Sequence, residues 1–181
     1  MATILSAQCT DRQVNTVTKT LFVRYPTVED YAQAPLRQLE RAIHATGFYR
    51  TKARYLRETA RRLIARYGGR VPQTMDALLT LHGVARKTAN IVLGKAFGKP
   101  AGIAVDTHVG RIACRLGLVA VRNPLVTERV LMHLLPKKEW TQVTDVFIAH
   151  GRALCKALRP VCQRCPLSSL CPASTVRKSK K

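Results

Sequence analysis

The segment LHGVARKTA, residues 81–89, decides how this chain folds. Gly83 separates two short stretches whose apolar residues recur every three or four positions, which predicts two amphipathic helices joined by a glycine turn. Thr74 can cap the first helix, and Gly98 with Pro100 can end the second. The start of the second helix can bind a phosphate without reading base sequence. Because a glycine between helices can also be a simple corner, the segment alone leaves both interpretations open.

Helical periodicity extends over most of the chain. It predicts helices over 51–67, from Thr107, from Asn123–Pro124 to Pro136, and over 141–158. We find no convincing strand, so the prediction is an all-α protein with a lobe boundary near Ile112. The expected parts are residues 1–112, residues 113–175 and a basic tail at 176–181.

The charge of the chain points to a polyanionic partner. The 181 residues include 31 Lys and Arg against 10 Asp and Glu, a net charge of +21, and the excess is divided almost equally between residues 1–112 and 113–181. Such a balance favours nucleic acid first and an anionic membrane surface second, the alternative being a soluble protein with solvated basic faces. No apolar run is long enough to span a bilayer, and the first ten residues lack a secretion signal. We therefore expect a cytoplasmic protein in a reducing compartment.

Four of the six cysteines are concentrated near the end of the sequence. Six, two and five residues separate the successive members Cys155, Cys162, Cys165 and Cys171. Clustered thiols in a reducing compartment favour a metal site over disulfides, and both zinc and a four-iron cluster suit this spacing. A metal here would fold a loop that holds basic side chains against a nucleic acid backbone; these are Lys156, Arg159 and Arg164. Cys9 and Cys114 are interpreted as small core residues.

An amine and a carboxylate follow the glycine turn. Lys87 is expected one turn inside the second helix, and Asp106 precedes Thr107 and His108 at the start of another. If these helices face each other, a partly neutral amine could act as a nucleophile while the carboxylate stabilises a developing cation. The same residues also suit a surface phosphate contact and an ordinary helix N-terminus.

Several motifs together resemble those of the endonuclease III family of the helix-hairpin-helix DNA glycosylase superfamily. The motifs span almost the whole chain and are the hairpin at 81–90, the segment Val105–His108, the triplet His150-Gly151-Arg152, the cysteine spacing, and Leu5–Gln8 with Thr10-Asp11. The resemblance implies a two-lobed helical fold, with a six-helix barrel that carries the hairpin and a second lobe with a 4Fe-4S cluster on the four cysteines. It further implies a monomer that repairs damaged double-stranded DNA.

The resemblance also assigns roles to individual residues. Lys87 occupies the position of the family's nucleophile, and Asp106 that of its catalytic aspartate. Lysine at this position is typical of bifunctional enzymes that remove an oxidised pyrimidine and then cut the strand at the abasic site by β-elimination. Gln8 and Phe48 match residues that fill the gap left by the extruded nucleotide. The remaining predicted DNA contacts are Gly83, Val84, Ala85, Arg86, His108, Lys156, Arg159 and Arg164.

The chain departs from the family pattern at several positions. His82 replaces a proline and Ala85 replaces the second glycine of the hairpin, where alanine would cost about 1 kcal/mol if the backbone needs a positive φ. Phe48 replaces a leucine, and Gly110 is expected to loosen its helix. About thirty residues of the family's N-terminal region have no counterpart, so we expect either that the true start lies upstream or that the lobe has an uncovered apolar face.

Two other functions fit the same residues. One is a non-catalytic DNA-binding or redox-responsive iron–sulfur module, which would bind duplex DNA in a salt-sensitive manner without cutting it. The other keeps the lysine chemistry but acts on a different lesion, such as a pyrimidine dimer.

Overall fold

The computed structural model describes residues 1–176, and over this range it is helical with no strand, as the sequence predicts. Ten α-helices follow one another: α1 (Ala2–Leu5), α2 (Asp11–Arg24), α3 (Val28–Gln33), α4 (Leu36–Ile43), α5 (Tyr49–Tyr67), α6 (Met75–Leu79), α7 (Arg86–Ile91), α8 (Thr107–Arg115), α9 (Pro124–Leu134) and α10 (Trp140–Ala153). In this part of the chain no helix combines the length and the apolar character needed to cross a bilayer.

The chain divides into two compact units, Met1–Val92 and the part from Leu93 onward. The division falls twenty residues before the boundary expected at Ile112. Ile112 itself lies in the middle of α8 and is buried there. Residues 177–181 of the predicted basic tail lie outside the described range.

The first unit packs its short helices around α5. Helices α3 and α4 contact α5, and the core is formed by fully buried aliphatic side chains, among them Leu5, Leu21, Leu39, Ile43 and Leu56. Thr27 begins α3 with a capping box, because its hydroxyl accepts from the Asp30 N–H while the Asp30 carboxylate accepts from the Thr27 N–H.

Helix α5 matches its prediction closely, beginning at Tyr49 and ending at Tyr67. Gly68 ends it in a left-handed conformation with φ of 56°, which glycine adopts at no steric cost. Thr74 caps α6 as expected, with its hydroxyl accepting from the Ala77 N–H.

The second unit is built on α8, α9 and α10. Its core joins Ile103, Val105 and Val109 to Leu131, with Phe147 partly buried against them. Asn123 caps α9 by accepting from the N–H groups of residues 125 and 126, and proline at the first helical position needs no such partner.

Two helices end earlier than the periodicity predicts, one in the hairpin region and one in the second unit. The segment after α7 is a π-helical turn, Val92–Ala96, rather than a continuation of α7. Helix α10 ends at Ala153 instead of 158, because the His150 carbonyl accepts from the N–H groups of both Leu154 and Cys155 and the chain then turns into the cysteine segment.

Candidate active site and DNA-binding surface

The hairpin turn needs glycine at residue 83 for two reasons. Gly83 has φ of 73°, and a Cβ on it would stand 2.6 Å from Cδ2 of Tyr55. The turn is fixed to α5 because the Thr59 hydroxyl donates a 2.8 Å hydrogen bond to the His82 carbonyl. The side chain at residue 82 therefore does not control this contact, which uses the backbone oxygen.

The expected strain at Ala85 does not arise. Ala85 is the N-cap of α7 with φ of −90° and ψ of 172°, an extended conformation that any residue adopts. Its methyl group makes no side-chain cap on the N-terminus of α7. The conditional cost of about 1 kcal/mol is therefore absent.

The predicted nucleophile is accessible. Lys87 lies in the first turn of α7 and is exposed, as are Gly83, Ala85 and Arg86, while Val84 is partly buried against the core of the first unit. This unit thus presents an amine directly after a hairpin whose backbone faces solvent. Asp106 belongs to the second unit, so its placement opposite Lys87 stays a prediction.

Asp106 is half-buried at the start of α8. Its carboxylate caps the helix by accepting a 2.8 Å hydrogen bond from the Val109 N–H. Two residues on, His108 Nδ1 lies 3.1 Å from the Arg111 guanidinium, which is 7% exposed. Arg111 donates from Nε and Nη2 to the Cys155 carbonyl at 3.2 and 3.0 Å, so α8 and the cysteine segment are joined by a buried cation. Periodicity gave no signal for this role of Arg111.

Gln8 and Phe48 share an unusual backbone conformation. They are the two non-glycine residues of the described chain with positive φ, 50° and 47° respectively. Both side chains are exposed, and Phe48, at 66%, is the N-cap residue of α5. An L-residue in this region is strained by about 1 kcal/mol, and such strain is concentrated at functional positions.

A buried lysine lies behind these two loops. Lys52, 3% exposed, donates 2.8 Å hydrogen bonds to the carbonyls of Leu5 and Thr46. The sequence carried one signal for it: Lys52 occupies the apolar side of α5 next to Ala53 and four residues before Leu56. The periodicity of that helix does not predict the role of Lys52.

The four clustered cysteines line one cavity in the second unit. Cys155, Cys162, Cys165 and Cys171 share it with apolar side chains and with Arg115 and His150, and none is in a disulfide. The Arg115 guanidinium donates to the Cys155 sulfur at 3.3 Å and to the carbonyls of Lys156 and Ala157 at 2.7 Å. Hydrogen bonds from Thr175 lower the pKa of the Cys162 thiol, which favours the thiolate that metals bind.

Over the described residues, no three His, Cys, Asp or Glu side chains form a group that could hold one metal ion. Three basic residues of this segment are exposed: Lys156 and Arg159, which follow Cys155, and Arg164, which lies between Cys162 and Cys165. They are thus free to meet a polyanion.

Comparison with known proteins gives the class first. Residues 1–137 match the family "HhH-GPD superfamily base excision DNA repair protein". Endonuclease III of Synechocystis sp. is 49% identical over 174 residues, covering 96% of this chain and 80% of that protein. Endonuclease III of Bacillus subtilis is 46% identical over 181 residues, covering 99% and 82%.

A solved structure agrees with these relatives. It is described as a trapped endonuclease III–DNA covalent intermediate, with a TM-score of 0.91 and 48% identity over 95% of this chain and 81% of that one. The chain therefore belongs to the endonuclease III family of the HhH-GPD superfamily. It is a base excision repair enzyme, a DNA glycosylase and abasic-site lyase.

Proposed function

We propose that this enzyme removes oxidised pyrimidines from duplex DNA and cuts the strand on the 3′ side of the lesion, with Lys87 as the nucleophile. The observation that carries the proposal is an exposed amine in the first turn of α7, directly after the Gly83 hairpin. A related enzyme trapped in covalent linkage to DNA supports it, because such a linkage requires a nucleophilic side chain.

In the first part of the reaction, the Lys87 amine replaces the base at the anomeric carbon of the sugar. The neutral Lys87 amine attacks the anomeric carbon of the extruded nucleotide, the bond to the base breaks, and the base leaves with the electron pair and a proton. The proton that the base takes comes from the attacking nitrogen; the sugar ring then opens, its oxygen takes up a proton from solvent, and a protonated Schiff base forms. Removal of a proton from the adjacent sugar carbon then expels the 3′ phosphate, and water releases the aldehyde product from Lys87.

Asp106 would supply the negative charge that this sequence needs. Positive charge develops on the sugar as the base departs, and a carboxylate close to it lowers the energy of that state. The cap that Asp106 makes on the Val109 N–H uses one oxygen and fixes the orientation of the other. We propose that this second oxygen faces the sugar.

Damaged double-stranded DNA is the proposed partner, bound by a monomer. The hairpin backbone at 83–86 would hold one phosphate, and further phosphates would meet His108 and the exposed cations of the cysteine segment. Gln8 and Phe48 would occupy the gap that the extruded nucleotide leaves. Since phosphate contacts carry no sequence information, the enzyme can work at any site where a lesion occurs.

We propose that the four cysteines hold a 4Fe-4S cluster. Such a cluster would be held by Cys155, Cys162, Cys165 and Cys171 and would fold the segment that carries them. Four free thiols around one apolar cavity support this proposal. Its contribution would be structural. Purified protein should be brown with broad absorption near 400 nm, which Cys165→Ser should lose; a colourless zinc protein would contradict the proposal.

Borohydride trapping tests the nucleophile. Incubation with thymine-glycol or abasic duplex and borohydride should join protein to DNA, and Lys87→Gln should abolish the adduct while retaining duplex binding. Lys19→Gln, an exposed lysine on α2, is the control and should trap normally. Trapping that survives Lys87→Gln removes the assignment. A panel of duplexes that includes pyrimidine dimers then separates the lesion classes.

A further inference from the structure

The inference concerns how the chain holds Gln8 and Phe48 in place. These residues lie on separate loops, one after α1 and one before α5, and both have the strained positive φ described above. Loops with strained residues need fixed supports, because a free loop relaxes toward ordinary backbone conformations. The question is which group supplies that support.

Lys52 contacts both loops at once. Its ammonium donates at 2.8 Å to the Leu5 carbonyl, three residues before Gln8, and at 2.8 Å to the Thr46 carbonyl, two residues before Phe48. Its own backbone N–H donates to the Phe48 carbonyl at 3.0 Å. A single residue on α5 is thereby bonded to Phe48 itself, to the segment just before Phe48 and to the segment just before Gln8.

The surroundings make this contact costly to lose. Lys52 is 3% exposed and Thr46 is 2% exposed, so neither water nor another side chain can easily replace the bonds. The Thr46 hydroxyl donates to the Ile43 carbonyl at 2.8 Å, which fixes the acceptor itself. Burial lowers the pKa of Lys52, but a neutral amine still carries two N–H bonds, enough for both carbonyls.

We propose that Lys52 is a positioning residue that sets the spacing between Gln8 and Phe48, so that both can enter the duplex together when a nucleotide is extruded. The inference rests on the proposed function of these two side chains. It assigns no chemistry to Lys52, which touches neither DNA nor the reacting atoms. Its effect should appear only where a gap in a duplex must be held open.

The test compares duplex with single-stranded abasic DNA. Lys52→Met keeps the length of the side chain and removes its donors. It should lower the rate on duplex roughly tenfold while single-strand cleavage stays within about twofold, because stacking is lost only in the duplex. Lys52→Arg restores donors and should recover part of the duplex rate. Fluorescence of 2-aminopurine opposite an abasic analogue should rise less with Lys52→Met than with the unaltered protein.

A double-mutant cycle tests whether Lys52 acts through Phe48. Lys52→Met added to Phe48→Ala should cause little further loss of duplex preference, since both changes remove the same function, the insertion of Phe48 into the duplex. Leu63→Ala, at the far end of α5, is the control for stability alone and should reduce both rates alike. If Lys52→Met does not fold, Lys52→Gln, which can reach one carbonyl, replaces it and should lose part of the duplex preference.

The outcomes separate this inference from the function on which it rests. A folded Lys52 variant with the duplex preference of the unaltered protein, or losses that multiply with those of Phe48→Ala, overturns the positioning role. If Phe48→Ala and Gln8→Ala also leave the preference unchanged, the proposed role of the two side chains has failed instead. If the unaltered protein forms no adduct with DNA in the presence of borohydride, the result counts against the Lys87 chemistry and not against the role of Lys52.

Discussion

Asp106 accepts a 2.8 Å hydrogen bond from the backbone N–H of Val109 and so begins α8. An aspartate at this position is therefore a helix cap whatever else it does. The cap orients the carboxylate, and the orientation is what a catalytic role beside the sugar would need. Structure and chemistry can be separated by substitution, because asparagine caps helices as well as aspartate does.

The first prediction separates these roles at residue 106. Asp106→Asn should retain the stability of the protein and lose most of its glycosylase activity, since the amide caps α8 but carries no charge. Asp106→Ala should lose the activity and also about 1 kcal/mol of unfolding free energy. Thermal melting and single-turnover base release measure the two effects. Full activity in the stable Asn variant would remove Asp106 from the chemistry.

The second prediction concerns Phe48, whose backbone conformation is strained. Phe48→Gly should relieve the backbone strain, because glycine adopts φ of 47° without strain. This relief should raise the stability by about 1 kcal/mol, or offset part of the stability that is lost with the side-chain contacts of Phe48. Phe48→Ala keeps the strain and should be the less stable of the two. Both should process duplex lesions poorly. Chemical denaturation compares the pair, and an Ala variant as stable as the Gly variant would show that residue 48 is unstrained.

The third prediction uses two glycines of the second unit. A Cβ on Gly151 of α10 would stand 2.6 Å from His108 Nδ1 and 2.9 Å from Arg111 Nη2, so Gly151→Ala should cost about 1–3 kcal/mol. On Gly110 a Cβ would meet only Val105 Cγ1 at 4.0 Å, so Gly110→Ala should stabilise α8 by about 0.5–1 kcal/mol. Melting temperatures should move in opposite directions. Equal shifts would mean that α10 does not approach α8 this closely.

The fourth prediction is a dependence on pH. Burial raises the pKa of Tyr31 to about 12, with smaller contributions from Tyr25 and Asp30. A tyrosine in the unfolded chain ionises near pH 10, so the folded state loses stability as the pH rises from about 10 toward 12. Tyr31→Phe removes this part of the loss. Urea denaturation at pH 8.5 and pH 11 should show a smaller decrease for the variant, and identical decreases would contradict the assignment.

The residues by themselves determined the helical class and the main boundaries in the chain. Periodicity located α5, Thr74 and Asn123 marked two helix starts, and the hairpin glycine marked a turn that the structure confirms, because these signals act within a few residues. Resemblance of the motifs, rather than spacing, supplied the family that the comparisons confirm. The roles of Lys87, Asp106 and the four cysteines remain predictions.

Only the tertiary structure decided which residues far apart in the sequence come into contact and which backbone conformations result. It showed that Ala85 has an extended backbone, that Gly151 lies in close contact with His108, and that the division between the units falls at Val92. It also brought Lys52 to carbonyls 6 and 47 residues away. Local sequence cannot reveal such contacts, because the partners of a buried cation are set by how helices pack, and packing joins residues that the chain keeps apart.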